Sequence, residues 1–314
     1  MIRFFKNYTQ NPIPYTLLML LFLPCSLLSY VPLDLLSLGA GAANIGRGNT
    51  YIGGEITNIY YNPGGLAFMF NSDILYQHTE LDFGTTYDYF TLGTTIKPLS
   101  LTTAFSFMKI GTGDIPITEA GEDTLSGTNF LEIIYRPTAS YRASCYTLSL
   151  SRRVNDFGIG INGKFIDMLL YQYSGTGIST DIGGYYQNKI FFAGLAFRDI
   201  LNTGIRWSGG IDEELLPVGS ALIGFMLLRG EGWFEKGVIV SVRVDKVISR
   251  DIDPIYYAGV EWSVAGILPL RFGIEDKNIA FGMGFNSEHL YFDYAYSTKE
   301  EIKGNHNISI GWKW

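Results

Sequence analysis

Single charges recur on one face of otherwise apolar or glycine-rich segments in this chain. They are Lys164, Arg243, Glu261, Arg271, Glu275 and Asp293. Charges spaced this way, one to a segment, can pair with one another across a wet interior, and an arginine such as Arg243 or Arg271 can bind an acidic head group. That is the chemistry of binding. The residues of catalysis lack the spacing they need. His78, His289 and His306 are isolated, no pair has metal-ligand spacing, and Cys145 has no cysteine near it. No nucleophile elbow of the form G-x-S-x-G occurs. Gly39, Gly41, Gly46 and Gly48 suggest a phosphate loop only superficially, because Asn44 stands where the third glycine of G-x-G-x-x-G belongs. The expectation is a protein that is not an enzyme, with no cofactor and no metal. A net charge of −7 also argues against a nucleic-acid partner.

The segments that carry these charges have period two. Val238, Val240, Val242 and Val244 alternate with Ile239, Ser241, Arg243 and Asp245. Leu270, Phe272 and Ile274 alternate with Arg271, Gly273 and Glu275, and Leu290, Phe292, Tyr294 and Tyr296 alternate with Tyr291, Asp293 and Ala295. The chain ends on Ile308, Ile310, Trp312 and Trp314, which alternate with Asn307, Ser309, Gly311 and Lys313. Successive side chains of a strand point to opposite faces, so each segment has a large apolar face and a small or polar one. In a sandwich the outer face would be densely charged. Here charged residues make up only 17% of the chain, aromatic residues 15%, and 37 residues are glycine. The pattern predicts an all-β fold: a transmembrane antiparallel β-barrel of about 14 strands, greasy outside and polar inside. Its surroundings would be outer-membrane lipid, and Trp312 and Trp314 would form the terminal signal read by the barrel-assembly machinery. The longest loops are expected at 114–131 and 202–217.

Residues 1–29 read as an export signal peptide. Arg3 and Lys6 precede the apolar core TLLMLLFLPCSLL at 16–28, and Ser26 and Ser29 suit a cleavage site. Phe22, Leu23 and Pro24 are too bulky or rigid for Cys25 to be a lipidation site. Residues 30–71 form a glycine-rich stretch without sustained alternation, and residues 72–314 form the barrel.

Within 30–71, Gly39-Ala-Gly-Ala-Ala-Asn-Ile-Gly-Arg-Gly48 is followed by Tyr60-Tyr61-Asn62-Pro63-Gly64-Gly65-Leu66-Ala67. This pair of motifs resembles the N-terminal signature of PorV/PorQ-type outer-membrane proteins, a family similar to the FadL long-chain fatty-acid channels. The resemblance continues at 149–181, 195–217 and 292–314. Tyr61 and Gly64 stand where the family has Trp and Ala, Asn49-Thr50 replaces a Gly-Ala pair, and the acidic segment is reduced to Glu55.

The resemblance implies that the N-terminal stretch folds inside the barrel as a hatch. Asn62, Pro63, Gly64, Gly65 and Leu66 are the candidate hatch motif. Asn62 before Pro63 favours a turn, and the glycines allow close approach to the wall. Leu66, Phe68 and Phe70 are expected to pack against that wall. The implied function is FadL-like transport of a hydrophobic, fatty-acid-like small molecule across the bacterial outer membrane. The alternative is a PorV-type component of a secretion system that carries secreted-protein cargo at the cell surface, and a third reading is a nonspecific porin.

Overall fold

The structure is a computed structural model that describes residues 35–122, 131–210, 212–227, 237–299 and 304–314. The expected signal peptide lies outside the described residues. The described chain opens with two short helices, α1 (Ala42–Gly46) and α2 (Asn58–Tyr61), and a 3-10 segment at Pro63–Phe68. Strands follow: β1 (Asp73–Glu80), β2 (Thr85–Ile96), β3 (Leu101–Glu122), β4 (Leu131–Val154), β5 (Phe157–Leu170), β6 (Tyr173–Gln187) and β7 (Phe191–Arg198). A small pair, β8 (Ile205–Trp207) and β9 (Asp212–Glu213), precedes β10 (Val218–Leu227), β11 (Val238–Val247), β12 (Ile255–Val264), β13 (Leu268–Glu275), β14 (Asn278–Asn286), β15 (Leu290–Ser297) and β16 (Asn305–Lys313).

Each wall strand pairs antiparallel with its neighbours, β7 pairs directly with β10, and β1 pairs with β16. The β5–β6 pairing completes the ring, so the wall is a closed antiparallel barrel of 14 strands. The β8–β9 pair stands outside that count, joined to β6 at Gly175↔Trp207. Closure leaves the ring itself without an open edge, which a sheet in lipid requires.

Alternation decides which face is which. Along β16, Asn307, Ser309 and Gly311 are buried, whereas Ile308, Ile310 and Trp312 are exposed. Leu148, Ile159, Leu195 and Phe281 are likewise exposed on other strands. Their partners in alternation, such as Ser149, Asn162 and Ser241, are buried. Apolar side chains outside and small polar ones inside are the inverse of a soluble protein and the signature of a membrane wall.

The turns divide the barrel into two ends. Among the described connections, the end that holds Ser72 and Trp314 has tight turns, such as 155–156 and 265–267. The opposite end carries the 199–217 insertion and the connection at 248–254. One expectation is corrected here. The described residues of 114–131, which are 114–122 and 131, are strand, because β3 and β4 stay paired out to Glu122↔Leu131. β2 pairs with β3 only as far as Thr112, and β5 pairs with β4 only as far as Tyr141, so beyond those residues β3 and β4 form a ribbon with unpaired outer edges. An edge accepts proline and charge, which is why a stretch with Pro116 and several acidic residues reads as loop. The 202–217 stretch is also not wholly loop, since it folds into β8 and β9.

Candidate functional site

Residues 36–69 are buried almost throughout and touch the inner faces of strands on opposite sides of the ring. Glycine makes the approach possible on one side. Gly48 has φ +62°, and a Cβ there would lie 2.5 Å from the backbone nitrogen of Ile274 and 2.7 Å from the carbonyl oxygen of Ala258. Asn49 follows in the same left-handed region, φ 60°, which asparagine tolerates. On the other side Gly64 faces β5 and β6, where a Cβ would lie 2.8 Å from the Gly183 carbonyl oxygen.

Polar contacts hold the segment at both sides. Asn62 caps the 3-10 segment by accepting the Gly64 N–H at 2.9 Å. Its Nδ2 donates to the carbonyls of Gly184 and Leu195 at 3.0 and 3.3 Å. It also approaches the Tyr51 hydroxyl at 3.2 Å, whose pKa burial pushes up to about 12, so the phenol stays neutral. Asn162 on β5 donates to the Ile59 carbonyl. Pro63, Gly64, Gly65 and Leu66 are buried, and Gly65 donates to the Asn62 carbonyl. Leu66 and Phe68 pack inside as expected, but Phe70 does not: it is 69% exposed. Met69 leaves the 3-10 segment in an extended conformation and is itself buried, so the next side chain points away.

Across the barrel the contact is ionic. Arg47 donates through Nη1 to Glu261 at 2.7 Å, and through Nη2 to Glu55 at 2.6 Å and to Asn44. Arg271 donates to the same Glu261 oxygen at 2.6 Å and to Asp293 at 2.6 Å. Burial works against the Arg47 charge, yet Glu55 and Glu261 outweigh it and hold its pKa above the ordinary arginine value. Asn49 reaches Glu275 at 2.9 Å. Four of the candidate lumen residues, Glu261, Arg271, Glu275 and Asp293, are thus gathered along β12, β13 and β15. Arg271 spends its Nε and Nη1 on Glu261 and Asp293, which leaves it poorly placed for a ligand.

Lys164 and Arg243 lie elsewhere. Lys164 bridges Asp181 at 2.7 Å and Asp199 at 3.0 Å, and Ser179 and Asn162 complete the hydrogen bonds of those carboxylates. Arg243 lines a cavity of about 250 Å³ at the long-loop end. Its base is Leu36, Tyr60 and Tyr61 of the N-terminal segment, its side includes Ile166, Met168 and Tyr257, and Ile205 of β8, with Leu215 and Ile252 of the connections, lies above. Trp312 and Trp314 are outward and far from both groups, with Trp312 opposite Ile74 in the closing pair.

Sequence reading passed over Arg47, Arg198, Asp245, Tyr61 and Tyr257. Arg47 and Glu55 carried a signal, being the only charges in the glycine-rich stretch at 38–70. The others carried none, since their roles depend on which strands are neighbours.

The fold has known counterparts. A monoaromatic hydrocarbon channel, the TodX deltaS2S3 mutant, superposes with a TM-score of 0.55 at 11% identity, over 88% of this chain and 98% of that one. The Ralstonia pickettii toluene transporter TbuX gives 0.53 at 11% identity, over 88% and 98%. The CymD monoaromatic hydrocarbon channel gives 0.54 at 12% identity, over 88% and 97%. At these identities the likeness is one of fold. By sequence, no family and no curated protein matches the chain.

Proposed function

We propose that this protein is a FadL-like channel of the bacterial outer membrane that admits hydrophobic small molecules, with residues 30–71 as its hatch. The observation that carries the proposal is the base of the cavity. A molecule held among Ile166, Met168, Leu215 and Ile252 rests directly on Tyr60 and Tyr61, residues of the segment that fills the barrel. Occupancy and the position of that segment are therefore coupled by contact. The apolar lining supplies affinity, at roughly 25 cal/mol for each Å² of apolar surface withdrawn from water. The named structural counterparts, channels for monoaromatic hydrocarbons and for toluene, support the same ligand class. The tight turns at the end holding both barrel termini support placing that end in the periplasm and the cavity at the cell surface. A fatty-acid-like ligand would need to extend its chain beyond a cavity of about 250 Å³. The PorV/PorQ-type relationship, the signal peptide and the terminal Trp312–Trp314 signal belong to the same proposal.

Uptake of radiolabelled toluene into proteoliposomes is the test. Uptake above that of protein-free vesicles is expected, and equal uptake with folded barrel present would sink the channel reading.

The ribbon of β3 and β4 favours a second reading, in which secreted-protein cargo is held at the surface. A two-stranded ribbon with unpaired edges can add a strand from a partner. Cross-linking in cells tests it: loss of secreted-protein cross-links on trimming residues 114–137 supports the reading, and their absence from the intact protein opposes it.

A further inference from the structure

We infer that the cavity selects an uncharged apolar molecule carrying a hydrogen-bond acceptor, such as an aryl ketone or ester, over a bare hydrocarbon and over a carboxylate. The inference deepens the channel reading and rests on it. Arg243 is only 4% exposed. Its guanidinium carbon lies 3.8 Å from the centre of the Tyr257 ring and 5.2 Å from that of Tyr61. Over a ring face the cation is held by the ring's quadrupole, an attraction that uses up none of its N–H donors in a hydrogen bond to an acceptor atom. Nε comes within 3.2 Å of Asp245 Oδ1 without hydrogen-bond geometry. The Asp245 carboxylate takes its hydrogen bond from Arg198 instead, at 2.8 Å. Among the described residues the Nη atoms of Arg243 donate to nothing, and neither does the Tyr257 hydroxyl, and none of these atoms is sealed from the cavity. Buried donors normally have acceptors, and leaving them unanswered is costly. A hydrocarbon that displaced the water here would leave them so.

The remaining charge disfavours an anion. Asp199, Glu213, Glu214, Asp245 and Asp253 line the cavity, against Arg198 and Arg243. Lys164 neutralises Asp199 only while also serving Asp181, and Arg250 pairs with Glu214 at the rim. A carboxylate entering from the loop end meets like charge before it meets Arg243, whereas a carbonyl oxygen does not. The volume, about 250 Å³, suits one ring with a small substituent.

Three ligands of nearly equal size separate the cases: ethylbenzene, acetophenone and benzoate. Binding is measured by equilibrium dialysis against protein in lipid nanodiscs, with partition into empty nanodiscs subtracted. Acetophenone should bind about ten- to a hundredfold more tightly than ethylbenzene, and benzoate no more tightly than ethylbenzene. R243M should abolish the acetophenone preference and Y257F should reduce it, each with normal heat-modifiable mobility. Y257F keeps the ring and so serves if R243M fails to fold. Equal binding of acetophenone and ethylbenzene overturns the inference and leaves the channel reading standing. Tightest binding by benzoate overturns the choice of a neutral ligand. Binding of none of the three removes the channel reading as well.

Discussion

The guanidinium of Arg47 and the carboxylate of Glu261 lie 2.7 Å apart although 214 positions separate them in the chain. One belongs to the segment inside the barrel and the other to its wall, and both are buried. Glu261 is shared with Arg271, so the wall would keep a partner if Arg47 were lost, whereas the inner segment would not.

Arg47→Met is therefore expected to loosen the segment and spare the wall. Removing one member of a buried pair costs about 3–5 kcal/mol. Glu55, at 30% side-chain exposure, regains solvent and brings the effect toward the lower end. Limited proteolysis is the measurement. Cleavage within residues 35–71 should accelerate by about a hundredfold at unchanged heat-modifiable mobility.

Two adjacent glycines make a matched pair. Gly183 faces inward, where a Cβ would collide with the Asn62 side chain and lie 3.0 Å from Pro63. Gly184 faces outward, with nothing within 4 Å of a Cβ. Gly183→Val should cost about 1–3 kcal/mol through overpacking, and Gly184→Val should be nearly neutral. Rates of limited proteolysis within residues 35–71 would compare them, and equal rates would contradict the packing of Asn62–Pro63 against β6.

Asn62→Ala with Pro63→Ala removes the cap on Gly64 and the bonds to the Gly184 and Leu195 carbonyls. No wall strand uses either side chain in its ladder. Single-channel recording in planar bilayers should show larger and noisier currents from the double variant than from the parent, at equal abundance in the membrane. Indistinguishable currents would reduce the motif to a linker.

Much of the wall was legible in the sequence. Period two in segments such as Ile308–Trp314 gave both the strand type and the lipid-facing side, because alternation is local. Pairing is not local. Nothing near Arg243 announces that Tyr257 and Tyr61 will flank it, and nothing near Lys164 announces Asp199. Each charge could be assigned to the inside, but not to a partner. The inner segment was legible only as a break in alternation at 38–70, with Asn62–Pro63 marking a turn. Phe70 was misplaced because one extended residue, Met69, reverses the direction of the next side chain.

Deleting Trp312 to Trp314 should block assembly. Those residues pair with Asp73 and Ile74, and Ser72 and Trp314 exchange backbone hydrogen bonds at the seam. Without them the β1 edge lacks partners in a medium that offers none, at several kcal/mol for each exposed group. Pulse-chase fractionation should find the truncated chain degraded or aggregated. Recovery of a folded, membrane-embedded barrel would contradict the role of this seam.

The uncharged polar side chains that line the wall have a consequence for how free energy is distributed in the molecule. Ser241, Gln77 and Asn162 bond to the inner segment, but water could take that place with little change in hydrogen-bond count. The wall has no such substitute, because its outer face meets lipid and its ladders close on themselves. Unfolding should therefore occur in two separate events: a low-energy release of residues 35–71 into water, reversible and visible to amide exchange, and a far costlier collapse of the sheet. Heating would report the second event alone, so a variant with an altered interior can keep the parent's melting temperature.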